Sequence, residues 1–288
     1  ITRSARGVLA VAVKDATAGG AAEAAYKSLA EVPEDKFSPE NYRLLKLVFL
    51  AAPTKVWVLR VGEDAEKTYQ ALERLRFDWL AAPGLEDARG MSFIKTLRNG
   101  GGGVKAVVAN ATAPDCEGIV NLCVSGLTLE DGAVEAKDYA VRVAALLAAL
   151  PLTRSATYVN LPEVVGCDAL AEPDADVDAG KLIIVPGREG YRLGRAVNSL
   201  TTLTPDKAAP FQKIKIVEGI DLIRGDIAKA FESGYVGKVL NDYDNKLLLV
   251  TAINAYLKGL EGDVLDKTAD NRCFVSLSGQ RSYLESRG

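Results

Sequence analysis

Residues Lys55–Ala82, KVWVLRVGEDAEKTYQALERLRFDWLAA, hold two short apolar runs on either side of a stretch with helical spacing. The runs Lys55–Val61 and Phe77–Ala82 are rich in aromatic and β-branched residues, which is typical of buried strands. Asp64 is a good N-cap, and apolar side chains follow it at helical intervals, at Tyr69, Leu72 and Leu75. A strand, a helix and a strand in this order predict two parallel strands joined by a crossover helix.

The same alternation continues on both sides of this unit. Further apolar runs predict strands at Gly7–Val13, Val104–Asn110, Gly118–Val124, Ala156–Asn160 and Lys181–Val185. Helical patterns lie between them at Pro39–Leu50, Glu86–Arg98 and Ala136–Leu150, and the alanine-rich stretch Ala21–Ala30 is also expected to be helical. This half of the chain is therefore predicted to be an α/β domain, with a mostly parallel sheet and flanking helices.

The pattern changes near residue 195. Ala196–Thr204 (AVNSLTTLT) is rich in β-branched residues and predicts a strand or a strand pair, and two long helical patterns follow at Phe211–Glu232 and Asp244–Leu260. We therefore expect an α/β core domain over residues 1–195 and a smaller α+β domain over residues 196–288.

The first of these two helices has an apolar stripe, which predicts its buried face. The stripe consists of Ile216, Ile220, Ile223, Ile227 and Phe231. Charged side chains occupy the opposite face, which is expected to meet solvent, at Lys213, Glu218, Asp221, Arg224 and Lys229.

The chain has 288 residues, with 35 Lys and Arg, 38 Asp and Glu, and no His. The lack of histidine excludes Ser-His-Asp and Cys-His nucleophile pairs and histidine-containing zinc or iron sites. A net charge of −3 argues against nucleic acid as the main partner. The longest apolar stretch, near Val143–Leu150, is far too short to span a bilayer, so membrane insertion is not expected. The four cysteines show no C-x-x-C spacing and are expected to be free thiols.

Two segments imitate ligand loops without completing the pattern. Asp174, Asp176 and Asp178 alternate as in a calcium loop, but the glycine comes one place late and the twelfth position is Val185 rather than Glu. This segment is expected to be a solvated loop. The stretch 187–194 (GREGYRLG) follows a predicted strand but lacks both the G-x-G-x-x-G spacing and a following G-K-[ST], so we expect a glycine-rich hairpin.

Catalytic residues are not indicated. Glu163 and Asp168 could do acid–base work only if the fold brings them together. The serines Ser92, Ser125 and Ser233 have no G-x-S-x-G context, and Lys95 after Ser92 lacks the accompanying motifs. The sequence therefore predicts no catalytic residue, metal or cofactor. The alternative is an α/β enzyme or a binding module with a carboxylate-based site, which would require a deep acidic pocket or one hydrophobic patch.

The second half resembles the C-terminal half of contractile tail sheath proteins of myophages, prophages and phage-tail-like bacteriocins. Four segments carry the resemblance: Gly194–Thr202 (GRAVNSLTT), Lys213–Ile227 (KIKIVEGIDLIRGDI), Tyr235–Leu249 (YVGKVLNDYDNKLLL) and Tyr256–Gly262 (YLKGLEG). Weaker similarity extends through Arg6–Val13, Phe77–Gly84, Phe93–Asn110 and Asp115–Val124.

This resemblance implies a subtilisin-like core topology without the protease's catalytic residues, plus a smaller C-terminal domain. It implies a structural subunit that assembles in stacked hexameric rings around a tail tube and contracts to drive the tube through the target cell envelope. The implied partners are further copies of the chain, the tail tube protein, and baseplate and tail terminator proteins. The implied location is the virion tail, assembled in the cytoplasm of the bacterial host.

In similar sheaths, arms at both ends of the chain add strands to neighbouring subunits. The corresponding arms look short or missing here, so a monomer or a non-native oligomer is expected for this stretch alone. Positions near both ends are expected to lie close to inter-subunit surfaces, namely Ile1, Arg6, Cys273, Tyr283 and Gly288.

Overall fold

The predicted apolar runs form the middle of one large sheet in the computed structural model, which describes residues 1–287. The strands are β1 (Val8–Val13), β2 (Glu23–Tyr26), β3 (Lys55–Arg60), β4 (Trp79–Ala81), β5 (Lys105–Ala109), β6 (Ile119–Cys123), β7 (Thr128–Leu129), β8 (Gly132–Ala133), β9 (Asn160–Leu161), β10 (Val164–Gly166), β11 (Lys181–Gly187) and β12 (Gly190–Leu193). Six of the seven strands predicted from apolar runs are confirmed.

Nine strands make the large sheet, in the order β2-β3-β1-β4-β5-β6-β11-β12-β9. The six strands from β3 to β11 are parallel, and the antiparallel strands β2, β12 and β9 lie at the two ends. The order of the parallel strands reverses once, between β1 and β4, as in doubly wound sheets. A small antiparallel sheet, β10-β7-β8, lies apart from the large one.

The described part of the chain also contains the helices α1 (Pro39–Phe49), α2 (Ala65–Arg74), α3 (Asp87–Asn99), α4 (Ala136–Ala149), α5 (Pro173–Asp178), α6 (Ile214–Gly234), α7 (Tyr243–Leu260) and α8 (Leu277–Glu285). Short 3₁₀ turns occur at Leu29–Glu31, Glu34–Lys36 and Ala209–Gln212. Helix α1 begins as its sequence predicts, because the Ser38 hydroxyl accepts the Asn41 N–H at 3.2 Å and proline occupies the first turn. None of the helices in residues 1–287 is long and apolar enough to cross a membrane.

Helices cover both faces of the sheet because alternate strand residues are apolar on each face. In β1, Leu9 and Val11 belong to the core that contains α1 and α4, whereas Ala10 and Ala12 belong to the core that contains α2 and α3. The sheet is therefore the middle layer of three, as the strand–helix alternation predicts.

Three predicted elements are wrong. Ala156–Asn160 is a turn instead of a strand, because the N–H of Val159 donates to the carbonyl of Ala156, and only Asn160 belongs to β9. Ala21–Ala30 contains edge strand β2 instead of a helix, because its backbone pairs with β3 from Glu23 to Tyr26. Ala196–Thr204 is irregular instead of a strand, because its backbone groups bond to separate partners. The N–H of Asn198 donates to the carbonyl of Gln212 and the N–H of Ser199 to that of Ile119.

The chain divides into two compact units, Ala5–Asp221 and Ile1–Ser4 with Leu222–Gly288. The division falls within helix α6 rather than near residue 195. Residues 222–287 contain helices and one isolated bridge, between Glu261 and Leu265, but no strand. The predicted α+β character of the second half is therefore not observed there, since the β-branched segment at 196–204 belongs to the first unit.

Helix α6 buries a different face from the one predicted. Ile216, Ile220 and Phe231 are exposed, whereas Glu218 and Asp221 are buried beside Ile214 and Val217. The carboxylates can be buried because Arg6, Arg98 and Lys105 supply the cations that pair with them. Helix α7 forms where the helical pattern at Asp244–Leu260 predicts it, and it buries Ile253, Tyr256 and Leu260.

Candidate interaction surfaces

The place where a doubly wound sheet usually binds a ligand is closed. That place is the crevice at the carboxyl ends of the strands next to the reversal in order, here β1 and β4. The N–H of Gly84, after β4, donates to the carbonyl of Ala12 in β1 at 2.9 Å. A Cβ on Gly84 would lie only 2.6 Å from the backbone nitrogen of Lys14. The loop after β4 therefore lies directly on the end of β1 and leaves no room for a substrate.

Asp15, two residues after β1, is a structural carboxylate. It accepts hydrogen bonds from the backbone N–H groups of Ser38 and Thr17 and from the Asn41 amide, at 2.8 to 2.9 Å, and pairs with Arg60 at 3.2 Å. Burial alone would raise the pKa of Asp15, but these hydrogen bonds outweigh burial and lower the pKa to about 2. The carboxylate is ionised and fully occupied, so it is unsuited to proton transfer.

An open cleft of about 620 Å³ lies beside the ends of β5 and β6. The amide of Asn110, which lines it, is bonded to the backbone of Val124. Asp87 and Lys137 pair with each other at 3.3 Å. Ser125 also lines the cleft. Within residues 1–287 no hydrogen bond joins its hydroxyl to the lining carboxylates Asp87 and Glu135, so the cleft shows no activated nucleophile.

Glu163, one of the two carboxylates proposed for acid–base work, is held by structural bonds. Glu163 accepts from the Tyr139 hydroxyl and from Arg142 Nε, both at 2.7 Å. Burial, followed by the nearby Glu163 charge, raises the pKa of Tyr139. Within residues 1–287 no hydrogen bond or ion pair joins Glu163 to Asp168. The bonded oxygen of Glu163 is therefore committed to Tyr139 and Arg142, which disfavours this carboxylate as a general acid or base.

The two imitations of ligand loops have ordinary structural roles. The three aspartates of 174–178 lie in the short helix α5 rather than in a loop, and Asp176 pairs with Lys181 at 2.7 Å. No group of three or more potential ligand side chains in residues 1–287 could hold a metal ion. The hairpin prediction is confirmed, because β11 and β12 pair antiparallel with Gly187 opposite Gly190.

A cluster of charged side chains lies at the amino ends of the parallel strands. Asp78, just before β4, accepts the backbone N–H groups of Gly7 and Val8 at 2.8 and 3.0 Å. Lys105 is the first residue of β5, and its ammonium is 3.0 Å from both Glu218 and Asp221. The helical pattern predicted that Glu218 and Asp221 face solvent. Their spacing by three residues, which places them on one side of a helix, was the only feature of the sequence that linked them.

Arg98 connects this cluster to the end of helix α3. Its guanidinium bonds both carboxylate oxygens of Asp221, at 2.9 and 3.2 Å, and Glu117 at 3.1 Å. Burial alone would lower the pKa of Arg98, but the pairing with Asp221 raises it. Burial would likewise raise the pKa of Glu117, and Lys207 at 2.9 Å together with Arg98 lowers it. Arg98 and Glu117 are therefore charged and paired near neutral pH.

Several large apolar side chains of the second unit are exposed to solvent. We call this surface the apolar patch; it consists of Phe231, Val236, Val239, Leu240, Tyr243, Leu247 and Leu248, each at least 39% exposed. By contrast, the buried hydrophobic side chains of residues 222–287 are only Leu222, Ile253, Tyr256 and Leu260. Clustered exposure of this kind marks an interaction site on a folded protein.

The residues predicted near inter-subunit surfaces differ in their surroundings. Ile1 is half-buried, and Arg6 pairs with Glu218 at 2.9 Å within its own unit. Cys273 is half-buried and exchanges two backbone hydrogen bonds with the Asn254 side chain. Tyr283, in helix α8, is exposed, and Gly288 lies outside the described residues. Their role between subunits remains a prediction.

The N-terminal residues are tied to the second unit through a buried carboxylate. Asp226 accepts the backbone N–H of Ser4 at 3.1 Å and the Tyr256 hydroxyl at 2.6 Å. Arg3 also pairs with Asp263 at 3.3 Å. The first four residues therefore belong structurally with helices α6 and α7 rather than with the sheet.

Comparison with known sequences identifies related chains. The family model for the phage tail sheath C-terminal domain matches residues 206–270. A tail sheath protein of Clostridium phage phiCD119 is 34% identical, over 100% of this chain and 83% of its own length. The phage-like element PBSX protein XkdK of Bacillus subtilis is 29% identical over 77% of this chain. The match covers about half of that protein's length.

Solved structures share the fold at lower identity. A sheath tail protein from Desulfitobacterium hafniense superimposes with a TM-score of 0.78 at 17% identity, covering 90% of this chain and 86% of the other. The helical sheath of the anti-feeding prophage in its contracted state gives 0.74 at 13% identity, covering 94% and 82%.

Proposed function

Because the chain belongs to the phage tail sheath protein family, we propose that it is a structural subunit of a contractile sheath that surrounds a tail tube. In this proposal, copies assemble in stacked hexameric rings, and the sheath shortens to drive the tube through the target envelope. Contraction would draw on the free-energy difference between two packings of the same subunits. The partners would be further copies of the chain, the tube protein, and baseplate and terminator proteins. The site of action would be the virion tail, after assembly in the host cytoplasm.

The apolar patch is the observation that carries this proposal. A subunit of a large assembly must bury surface against neighbours, and the patch presents seven large hydrophobic side chains within residues 231–248. We assign the patch to contacts between sheath subunits. The positions near both chain ends, from Ile1 to Arg6 and from Cys273 onward, are proposed to adjoin the same contacts.

We infer a structural rather than an enzymatic role. The support is the closed crevice between β1 and β4, the occupied carboxylate of Asp15 and the separate partners of Glu163. The subtilisin-like topology that the resemblance implies is also a proposal. Superposition of the six parallel strands and their connections on a solved subtilisin would test it.

The function is tested by assembly of the full-length gene product with its tail tube protein, observed by negative-stain electron microscopy and light scattering. We expect rings or tubes of tail diameter. The double variant L240E/L248E should remain monomeric, because it places two carboxylates on the apolar patch. The control is L50E, which places a carboxylate on a leucine of the other unit that is 58% exposed, against 77% for Leu240 and 61% for Leu248, and it should assemble normally.

A full-length chain that stays monomeric beside its tube protein would overturn the proposed function. If L240E/L248E assembles as efficiently as L50E, the apolar patch is not a contact between subunits, but the proposed function is not contradicted. Circular dichroism of each variant shows whether it is folded, so a loss of assembly is not confused with unfolding.

A further inference from the structure

Helix α8 and the apolar patch are two apolar surfaces of the second unit that stay uncovered within residues 1–287. None of the residues of α8, Leu277–Glu285, is buried. The seven side chains of the patch are each at least 39% exposed. One chain therefore presents both a helix that lacks a surface to pack on and an apolar surface that lacks a cover.

Helix α8 has the pattern of a helix that docks by one side. Leu277 and Leu284 are seven residues apart, so they lie two turns apart on the same side, and Tyr283 lies next to Leu284. These three side chains are 55% to 74% exposed. The opposite side carries polar side chains such as Ser278 and Ser282. Amphipathic helices with apolar anchors two turns apart are the ones that lie in apolar grooves of partner proteins.

The patch offers α8 a surface of matching character. It includes Phe231 at the end of α6, Leu240 in the turn that follows, and Tyr243 and Leu247, which are one turn apart at the start of α7. None of its seven members carries a charge. The apolar side of α8 could therefore cover the patch without burying an unpaired charge among these side chains.

A second copy is the source of the helix that fits the patch. Cys273, shortly before α8, is fixed to α7 by two hydrogen bonds with the Asn254 side chain, at 2.7 and 3.0 Å. Asn254 lies six residues beyond Leu248, which is about 9 Å along the helix axis, so the patch is within reach of the segment that follows Cys273. The structure nevertheless leaves both surfaces exposed. One copy therefore does not satisfy its own patch with its own α8.

We propose that helix α8 of one copy packs on the apolar patch of the next. The inference rests on the proposed function, because it names the segment that fills a subunit contact assigned there. The contact joins two different surfaces, so every pair of copies still has one unused α8 and one unused patch, and further copies can be added as a ring or tube requires. Packing of a helix on an apolar surface also differs from the strand addition by terminal arms that the resemblance implies.

The test divides the two surfaces between two variants of this chain. L240E/L248E alters the patch and keeps α8, whereas L277E/L284E alters α8 and keeps the patch. Each variant alone should associate with itself about tenfold more weakly than the wild-type chain or worse, because the contact would bury carboxylates without a counter-charge. An equimolar mixture should form dimers, since one intact α8 meets one intact patch. Sedimentation velocity measures all four samples when L50E, which should associate like the wild-type chain, is included as the control.

Hydrogen exchange followed by mass spectrometry identifies the surfaces in the mixture. The peptides that contain α8 differ in mass between the two variants, so each copy is observed separately. The α8 amides of L240E/L248E should become protected on mixing, because that copy supplies the intact helix. The α8 amides of L277E/L284E should stay unprotected. Circular dichroism of each variant alone shows whether the substitutions leave the chain folded.

Three results would overturn the proposal. The first is a mixture that stays as monomeric as the separate variants, and the second is a wild-type chain that is monomeric at its highest soluble concentration. The third is self-association of L277E/L284E as strong as that of the wild-type chain, since α8 would then not be required. The proposed function is decided separately, by assembly of the full-length gene product with its tube protein.

Discussion

Asp15 is a single carboxylate whose ionisation contributes to stability. Its pKa is about 2 in the folded chain and about 3.8 in an unfolded one. A depressed pKa stabilises the fold above the unfolded value, and this stabilisation is lost as the pH falls from about 4 to 2. The contribution at pH 7 is roughly 1 to 2 kcal/mol.

We expect D15N to unfold at a lower urea concentration than the wild-type chain at pH 7, and the difference to shrink as the pH approaches 2. Urea titrations at several pH values measure this directly. The exposed Asp35 provides the control, since D35N should change stability little at any of these pH values. A difference that stays constant down to pH 2 would show that ionisation of Asp15 is not the cause.

The charge pairs around Arg98 differ in burial and should differ in energy. Asp221 is buried with two cations, so D221N leaves charge uncompensated and should lower the free energy of unfolding by about 3 kcal/mol or more. Lys207 is 44% exposed where it meets Glu117, so K207Q should cost less than about 1 kcal/mol. Chemical denaturation of the two variants compares them. Equal losses would mean that burial does not decide the strength of these pairs.

At the scale of elements, the strands could be predicted because each is a continuous run of apolar residues. A strand that is buried on both faces of a sheet is apolar at nearly every position, so it can be recognised without knowing which strands lie beside it. Helix α6 could not be predicted in the same way. Its isoleucine stripe indicates a partner, but the side that this chain buries is decided by Arg98 and Lys105, which are more than 100 residues away in sequence. Edge strand β2 was missed because pairing with β3 outweighs the helical propensity of alanine.

Helix α8 is an element without packing in this chain. None of its residues, Leu277–Glu285, is buried, and Leu277, Tyr283 and Leu284 are 55% to 74% exposed. An isolated helix of nine residues is marginal in water, even with the N-cap that Ser276 provides.

We therefore expect the amides of α8 to exchange with solvent within about tenfold of the unfolded rate in the isolated chain. Hydrogen exchange followed by mass spectrometry measures this, with the buried helix α4 as the internal standard for strong protection. In an assembled sheath the same amides should become protected if α8 lies at a subunit contact. Strong protection at low protein concentration would show that α8 packs on its own chain.

For the whole molecule, the sequence predicts the family better than it predicts the surfaces. Local segments such as Lys213–Ile227 carry the resemblance because they keep residue types in order along the chain. Where the apolar patch lies, and that Glu163 is bonded to Tyr139 and Arg142, depends on contacts between segments that are distant in sequence. The composition alone excludes catalysis by histidine, because the chain has none. Closure of the crevice by the loop at Gly84, in contrast, can be seen only in the structure.

The two compact units differ in how much apolar surface each buries, and they should therefore differ in stability. The first unit has cores on both faces of a nine-stranded sheet. In residues 222–287 the buried hydrophobic side chains number four, and the patch remains exposed. Because burial of apolar surface is the dominant stabilising contribution, the second unit should unfold at a lower concentration of denaturant.

The chain contains probes that separate the two events. Both tryptophans, Trp57 and Trp79, lie in the first unit, whereas helical circular dichroism reports α7 and α8 as well. We expect part of the helical circular dichroism signal to be lost in urea before the tryptophan fluorescence changes. Y256F, which removes a hydroxyl bonded to Asp226, should move only the earlier transition to lower urea. Coincident transitions, shifted together by Y256F, would mean that the two units unfold as one cooperative structure.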